Sequence, residues 1–408
     1  MYRVIRKIVI CILSFLVFPK KGKILCSVDY YNINGKEIIR ENDNVYLFSK
    51  LLKEKGEKIY YFQESRLKIR DIYNILTSEI IIHKTYPIRE WFMNSKQKNI
   101  ILGYFTPFKA DRYLENMCLE KYGEDFFKKI ESCNRKINRT KLRYITSSRY
   151  SSKVIASSNN ISENYFIEIG MSRNQVVGIS EKKFRDIFKI KDDKKINKII
   201  LYTPTFRDKY IYSRLSSIFD VSEQEDKNIF GYNNIEKEIS KILLKNNIYI
   251  IIKLHKNYSY YQKKEEKILN NYIELPKNCF ILTSEIEKEY NIGIYNLFDI
   301  SDAMIADYSS ISFDYLLKNK PIFYNIFDIE EYRKYRGFSY EPIEDLMAGE
   351  KIKSKDEFLD CLEKFGNNYK DIYQEKRKKV NLLVNGEEKL ENINEKIYEF
   401  MKEFINER

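Results

Sequence analysis

Histidine is nearly missing from these 408 residues: there are two, His83 and His255. The six cysteines (Cys11, Cys26, Cys118, Cys133, Cys279 and Cys361) form no C-x-x-C pair and have no close histidine, which argues against a metal site or a redox centre. Cys26 and Cys279 lie in apolar runs and are expected to be buried thiols. Long apolar stretches are lacking as well. The run Ile8 to Phe18, preceded by Arg3, Arg6 and Lys7 and followed by Pro19-Lys20-Lys21, is shorter than the ~20 residues of a spanning helix and has no small-residue cleavage site. A shallow helix lying on an anionic membrane surface is expected for residues 1–21, with a core helix as the alternative. There is no zinc-finger spacing, no RNP-type aromatic motif and no basic helix with interleaved aromatics, so nucleic acid is not expected as a partner.

What is present is charge and alternation. A formal charge of +13 favours an anionic partner, a membrane surface or a phosphorylated substrate, although the abundance of Ile, Lys, Asn and Tyr inflates lysine for compositional reasons. The length suffices for two domains, each with its own core. From Lys23 onward, apolar strand-like runs alternate with amphipathic stretches: Lys23 to Val28, helix Asn44 to Lys55, Lys58 to Phe62, Glu79 to His83, Asn99 to Leu102, Arg143 to Thr146, helix Ser151 to Ser158, and Tyr165 to Ile169. A second series follows with Asn197 to Tyr202, helix Ile235 to Asn246, Ile248 to Leu254, Cys279 to Leu282, Ala303 to Ala306 and Pro321 to Asn325. Helices over Lys355 to Phe365 and Glu387 to Phe404 close the chain, and Lys209 to Asn228 reads as loop or insertion. The alternation predicts α/β domains with mainly parallel sheets, and the junction is expected near Gly178 to Lys189.

One stretch carries the most chemistry. Asp302 to Arg336 reads as strand, the tight turn Asp307-Tyr308-Ser309-Ser310, and helix, with Ser309 or Ser310 as the cap and the first-turn N–H groups suited to a phosphate. Ligands of open α/β sheets sit beyond the carboxyl ends of the strands. Thr205 and Arg207, Lys253 and His255, Ser309 and Ser310, and Asp314 one turn later would all converge there. Hydroxyls and helix N–H groups would hold a diphosphate, Lys253 and His255 would neutralise it, and Asp314 would accept from ribose hydroxyls.

The runs YTPTFRD (Tyr202 to Asp208), IIKLH (Ile251 to His255) and ISDAMIADYSSISFDYLLKNKPIFYN, with the following Arg336-Gly337, resemble the CDP-glycerol glycerophosphotransferase family. Tyr144 to Asn174 is similar to that family's stretch leading to a Gly-x-Pro-Arg element, with Ser172 where the family has Pro. The resemblance implies two Rossmann-like domains in a GT-B-type architecture, with an N-terminal hydrophobic or amphipathic segment and C-terminal helices. With 1–21 read from its residues as the membrane-associating segment, it assigns 22–178 to an acceptor domain and 179–408 to a CDP-alcohol-binding domain. It further implies that Lys109, Arg173, Pro204, Thr205, Arg207, Lys253, His255, Ser309, Ser310 and Asp314 hold a CDP-glycerol or CDP-ribitol donor, and that His255 also serves the chemistry. An acceptor hydroxyl of a polyol-phosphate or glycan would attack the phosphorus bearing the alcohol, with CMP leaving, at the cytoplasmic face of the membrane. Neither a metal nor an organic cofactor is implied.

One departure matters. Where the family carries Trp-His-Gly-Thr-Pro-Leu-Lys, whose His is taken as general base, this chain has Gly103-Tyr104-Phe105-Thr106-Pro107-Phe108-Lys109. A tyrosine of ordinary pKa, about 10, is a weak base at neutral pH. His83, at a strand end, is expected to stand in for the missing base, with Tyr104 relaying the proton and Asp111 a weaker candidate. Competing readings are a GT-B glycosyltransferase and a donor-binding paralogue without turnover.

Overall fold

The computed structural model describes residues 16–33, 36–39, 43–63, 68–84, 96–103, 106–111, 141–191, 193–205, 235–254, 275–386 and 391–407, with scattered positions between 114 and 134. Tyr104, Arg207, His255 and most of the expected membrane segment lie outside these residues, as does the polar stretch Lys209 to Asn228. No helix among the described residues is long and apolar enough to cross a membrane. The described residues divide into two compact units.

The first unit takes the described residues up to Thr106, those within 122–176, and those from Leu383 onward. Its strands are β1 (Lys20–Ser27), a small antiparallel hairpin of β2 (Tyr30–Ile33) and β3 (Lys36–Ile39), then β4 (Lys58–Phe62), β5 (Ser78–His83), β6 (Lys98–Ile101), β7 (Lys141–Thr146) and β8 (Phe166–Glu168). Six of them form one parallel sheet in the order β4-β1-β5-β6-β7-β8. Near-continuous Ile and Leu runs such as Ile80 to Ile82 suit central strands covered on both faces. Helices α1 (Asn44–Glu54), α2 (Ile69–Thr77) and α3 (Arg149–Asn159) connect them. Asp43 caps α1 by accepting from the Val45 N–H, and Ser148 caps α3 by accepting from Ser151.

The second unit takes the described residues within 107–121 and those from Val177 to Leu382. After α4 (Glu181–Phe188) come β9 (Lys198–Thr203), α5 (Glu236–Asn246), β10 (Ile248–Ile252), β11 (Cys279–Ile281), α6 (Ser284–Tyr290), β12 (Ala303–Ala306), α7 (Ile311–Tyr315), β13 (Ile322–Asn325), α8 (Ile329–Tyr335), β14 (Glu350–Ile352), α9 (Lys355–Asn367) and α10 (Gln374–Asn385). The sheet is parallel, in the order β11-β10-β9-β12-β13-β14. This is the Rossmann order, which reverses direction between β9 and β12 and opens a crevice at their carboxyl ends.

Four expectations change. The final helix, α11, spans Ile393–Asn406 rather than starting at Glu387, and it belongs to the first unit. Ile393, Ile397, Met401 and Phe404 form its buried stripe, packed with Ile24, Ile82 and Ile145. The Lys98 ammonium donates to the carbonyls of Phe404, Ile405 and Glu407, satisfying the open end of that helix. The stretch expected as a junction contains α4, capped by Ser180, and the division falls at Val176/Val177. The segment from Pro107 to Asp111, placed by its position in the chain in the first domain, is part of the second unit. Cys26 and Cys279 are buried as expected, and burial pushes both thiols up, far from reactivity at neutral pH. Lys20 and Lys21, expected at the end of the membrane segment, are strand residues of β1.

Candidate active site

The crevice of the second unit is built from two loops. β9 ends in Thr203, followed by Pro204 and Thr205. β12 lies beside it, pairing Ala306 with Thr203, and ends in Asp307 to Ser310. Asp307 joins the two loops. Its carboxylate accepts from the Thr205 N–H at 3.0 and 2.9 Å, from the Thr205 hydroxyl at 2.5 Å and from the Tyr308 N–H at 2.6 Å. Tyr308 is fixed on its other side: its hydroxyl donates to Asp328 at 2.7 Å, and its ring lies 4.1 Å from that of Tyr332.

The rest of the motif also faces inward. Phe313 meets Phe108 at 4.9 Å between ring centroids, and the Tyr315 hydroxyl lies 2.9 Å from that of Ser301. Burial pushes the Tyr315 and Tyr324 hydroxyls well above the ordinary tyrosine range. Asp314, expected to meet a ribose, is 6% exposed and accepts from the Tyr295 hydroxyl at 2.6 Å. Ser309 and Ser310 are the half-exposed members of the turn. Ser310 occupies the cap position of α7, yet its side chain makes no capping bond.

Several of the residues expected to hold the donor have partners within the protein. Thr205 is 3% exposed, and both its N–H and its O–H donate to Asp307. Pro204, beside it, is buried. Lys253, just past β10, forms an ion pair with the buried Glu287 at 2.8 Å and donates to the Leu282 carbonyl at 3.3 Å, so its charge is matched within the protein. Lys109 is half-buried in the second unit, its backbone paired with Phe338. The Arg336-Gly337 pair holds that segment: Arg336 Nε donates to the Ala110 carbonyl at 3.0 Å, and the Ala110 N–H donates to the Gly337 carbonyl at 3.0 Å. Arg336 also lies 3.6 Å from Asp111, which places that weaker base candidate in an ion pair.

Arg173 and His83 lie in the first unit, apart from this group in the division of the chain. The Arg173 N–H donates to the Asn44 side chain at 2.8 Å. His83 ends β5 and is 4% exposed, with Nε2 2.9 Å from Asn99 Oδ1. Asn99 uses its amide N–H on the Gln97 carbonyl, so Oδ1 is the acceptor and His83 Nε2 carries the proton. A buried ring bonded in this way joins β5 to β6.

The first unit has its own switch point, between β1 and β5, and the sequence gives little sign of what fills it. Lys84 pairs with Asp43 at 2.7 Å and with Asp29. Burial works against the Lys84 charge, but Asp43 and Asp29 outweigh it and hold the ammonium above its ordinary value. Gly103 runs so close beneath that a Cβ there would lie 1.2 Å from the Lys84 carbonyl oxygen.

Comparison with known proteins adds the wider frame. The family model described as CDP-glycerol:poly(glycerophosphate) glycerophosphotransferase matches residues 36–400. The teichoic acid poly(glycerol phosphate) polymerase of Staphylococcus epidermidis is 30% identical over 224 residues, 52% of this chain and 27% of that protein. The teichoic acid glycerol-phosphate primase of Bacillus subtilis is 27% identical over 296 residues, 70% of this chain and 64% of that protein. The chain thus spans less than two thirds of the length of either relative. A solved structure of a variant of the wall teichoic acid polymerase TagF superposes with a TM-score of 0.68 at 20% identity, covering 99% of this chain and 95% of that one. At that identity the likeness speaks for the fold.

Proposed function

We propose, since the chain belongs to the CDP-glycerol:poly(glycerophosphate) glycerophosphotransferase family, that it transfers glycerol phosphate or ribitol phosphate from a CDP-alcohol to a cell-surface polymer acceptor. The observation that carries this reading is the β9/β12 switch point, where the Asp307-Tyr308-Ser309-Ser310 turn presents two half-exposed hydroxyls at the carboxyl edge of a Rossmann-ordered sheet. The reading includes a GT-B-type pairing of the two units.

In this mechanism Ser309 and Ser310 bind the donor diphosphate. The acceptor hydroxyl attacks the phosphorus bearing the alcohol, the P–O bond to CMP breaks, and the hydroxyl proton leaves to a base. Positioning and charge neutralisation supply most of the acceleration of such a transfer. Lys109, held by Arg336 and Gly337, and Lys253, steadied by Glu287, supply positive charge. His255 and Arg207, matched to the family's motifs, complete the donor set, and Tyr104 occupies the place of the family's base.

We assign the protein to the cytoplasmic face of the membrane as a peripheral protein. The exposed Leu16 and Phe18, with Lys96 4.1 Å over the Phe18 ring and the exposed Lys20 and Lys21 nearby in sequence, support an anionic surface as the partner.

The test is CMP release measured over a panel of CDP-glycerol, CDP-ribitol and nucleotide sugars, with His255→Ala as control. Turnover of a CDP-alcohol supports the reading, and turnover of a nucleotide sugar alone sinks it. Tyr104 favours a second reading, a donor-binding protein without turnover, which binding of CDP-glycerol without CMP release from any acceptor would establish.

A further inference from the structure

We infer that Asp307 is the positioning residue of the donor crevice, a buried carboxylate that sets where the diphosphate sits by fixing two loops to each other. The inference rests on the reading that a CDP-alcohol binds at the β9/β12 switch point.

A carboxylate directly beneath a phosphate site is at first sight a liability, because like charges repel. The geometry removes the difficulty. Asp307 is 3% exposed, and the bonds from the Thr205 N–H, the Thr205 hydroxyl and the Tyr308 N–H spread its charge inward. It offers no surface to a ligand and acts through its neighbours.

Those neighbours belong to loops 102 residues apart in the chain, which meet only because β9 and β12 are adjacent in the sheet. Beyond the last strand pair, Thr203 with Ala306, the Asp307 side chain is what ties Thr205 to the start of the turn. Tyr308 carries that register on to Ser309 and Ser310, being pinned at its N–H by Asp307 and at its hydroxyl by Asp328. The next fixed points are Phe313 against Phe108 and Asp314 against Tyr295. The two serines are thus held between anchors on both sides, and the first of these anchors depends on one carboxylate.

Loss of Asp307 would let the turn shift relative to the β9 loop. The penalty would fall on the part of the ligand that bridges both loops, the β-phosphate, more than on the base or ribose. Asn at this position can accept from one side, but it places an NH₂ against the Thr205 N–H. Thr205→Val removes the hydroxyl bond, and Thr205→Ser retains it.

The experiment is calorimetric titration of the full chain with CDP and with CMP, which differ by the β-phosphate. For D307N and T205V, CDP affinity is expected to fall about tenfold to a hundredfold, the size of a buried hydrogen-bond loss, with CMP affinity changed less than about threefold. T205S should lie within about threefold of wild type for both ligands, and the D307N/T205V double variant should bind CDP no worse than the weaker single, since one interaction is removed twice. D307N binding CDP within threefold of wild type, or losing CDP and CMP equally, overturns the positioning role. Wild-type protein that binds neither CDP nor CDP-glycerol overturns the donor reading itself and this inference with it.

Discussion

The two sheets carry the same kind of topological switch with opposite chemistry. In the second unit, the Asp307 carboxylate at the β9/β12 crevice is turned inward onto N–H and O–H donors, and Ser309 and Ser310 are the half-exposed residues of the turn. In the first, the β1/β5 switch is filled by Lys84 between Asp29 and Asp43. Open α/β sheets offer a ligand site wherever strand order reverses, but the side chains there decide whether that site is presented or closed. The buried Asp307 charge is stabilised by N–H and O–H donors from both loops, which keeps it away from the edge of the crevice. At the first switch, an anionic ligand would compete with Asp29 and Asp43 for the one ammonium of Lys84.

The strongest way to break this comparison is at the serines. The double variant Ser309→Ala/Ser310→Ala should lower CMP release about a hundredfold or more, as expected for loss of aligned donors at a reacting phosphate. Unchanged release would move the donor site elsewhere. Next comes the sealed switch. Lys84→Met leaves the buried Asp43 facing Asp29 without a cation, and should cost about 3 kcal/mol in denaturant unfolding. A loss below about 1 kcal/mol would mean that the bond to the Val45 N–H satisfies Asp43 alone.

The pH dependence of two lysines separates matched from unmatched charge. Lys84 is held above its ordinary value, so its contribution is fully present below the unfolded lysine pKa and is lost as pH rises through the higher folded one. Lys23 is the reverse. Burial, then the nearby Lys20 and Lys58, lower it to about 8, and its partners are the neutral Asn74 and Thr77. Between about 8 and the ordinary value near 10.5 the folded state binds fewer protons than the unfolded, so stability rises with pH across that window. Subtracting the unfolding curve of Lys23→Met from that of wild type should expose this rise, and a flat difference would refute the lowered value.

Smaller effects test the supports. Glu287→Gln unmatches the Lys253 charge and should tighten CDP binding about fivefold, roughly 1 kcal/mol; weaker binding would show that Glu287 places Lys253 rather than offsetting it. Turnover in His83→Ala should fall less than about tenfold if the ring only joins β5 to β6, and a larger loss with an altered acid limb of the pH profile would support the base role.

Much of the scaffold was legible from periodicity. Continuous runs such as Ile248 to Ile252 allow little but a buried parallel strand. Other elements were hidden by charge. α10, reading Gln-Glu-Lys-Arg-Lys-Lys before Val380, buries Arg377 completely through Asp371 and Asn319, which no hydrophobic pattern announces. α2 is short, and Ile72, Ile75 and Leu76 pack inward while Ile69 and Tyr73 stay exposed, which blurs its stripe.

At the site, the sequence by itself determined which residues follow the strand ends, as Thr205 follows β9 and Ser309 and Ser310 follow β12, because strand and turn are local properties written in adjacent residues. Only the tertiary structure decided which way each side chain is used. Thr205, Asp314 and Lys253 all look like ligand groups in one dimension. In three, each is bonded to a partner elsewhere in the chain: Thr205 to Asp307, Asp314 to Tyr295, Lys253 to Glu287. Those partners are brought up by non-local strand pairing and packing, which adjacent residues do not show.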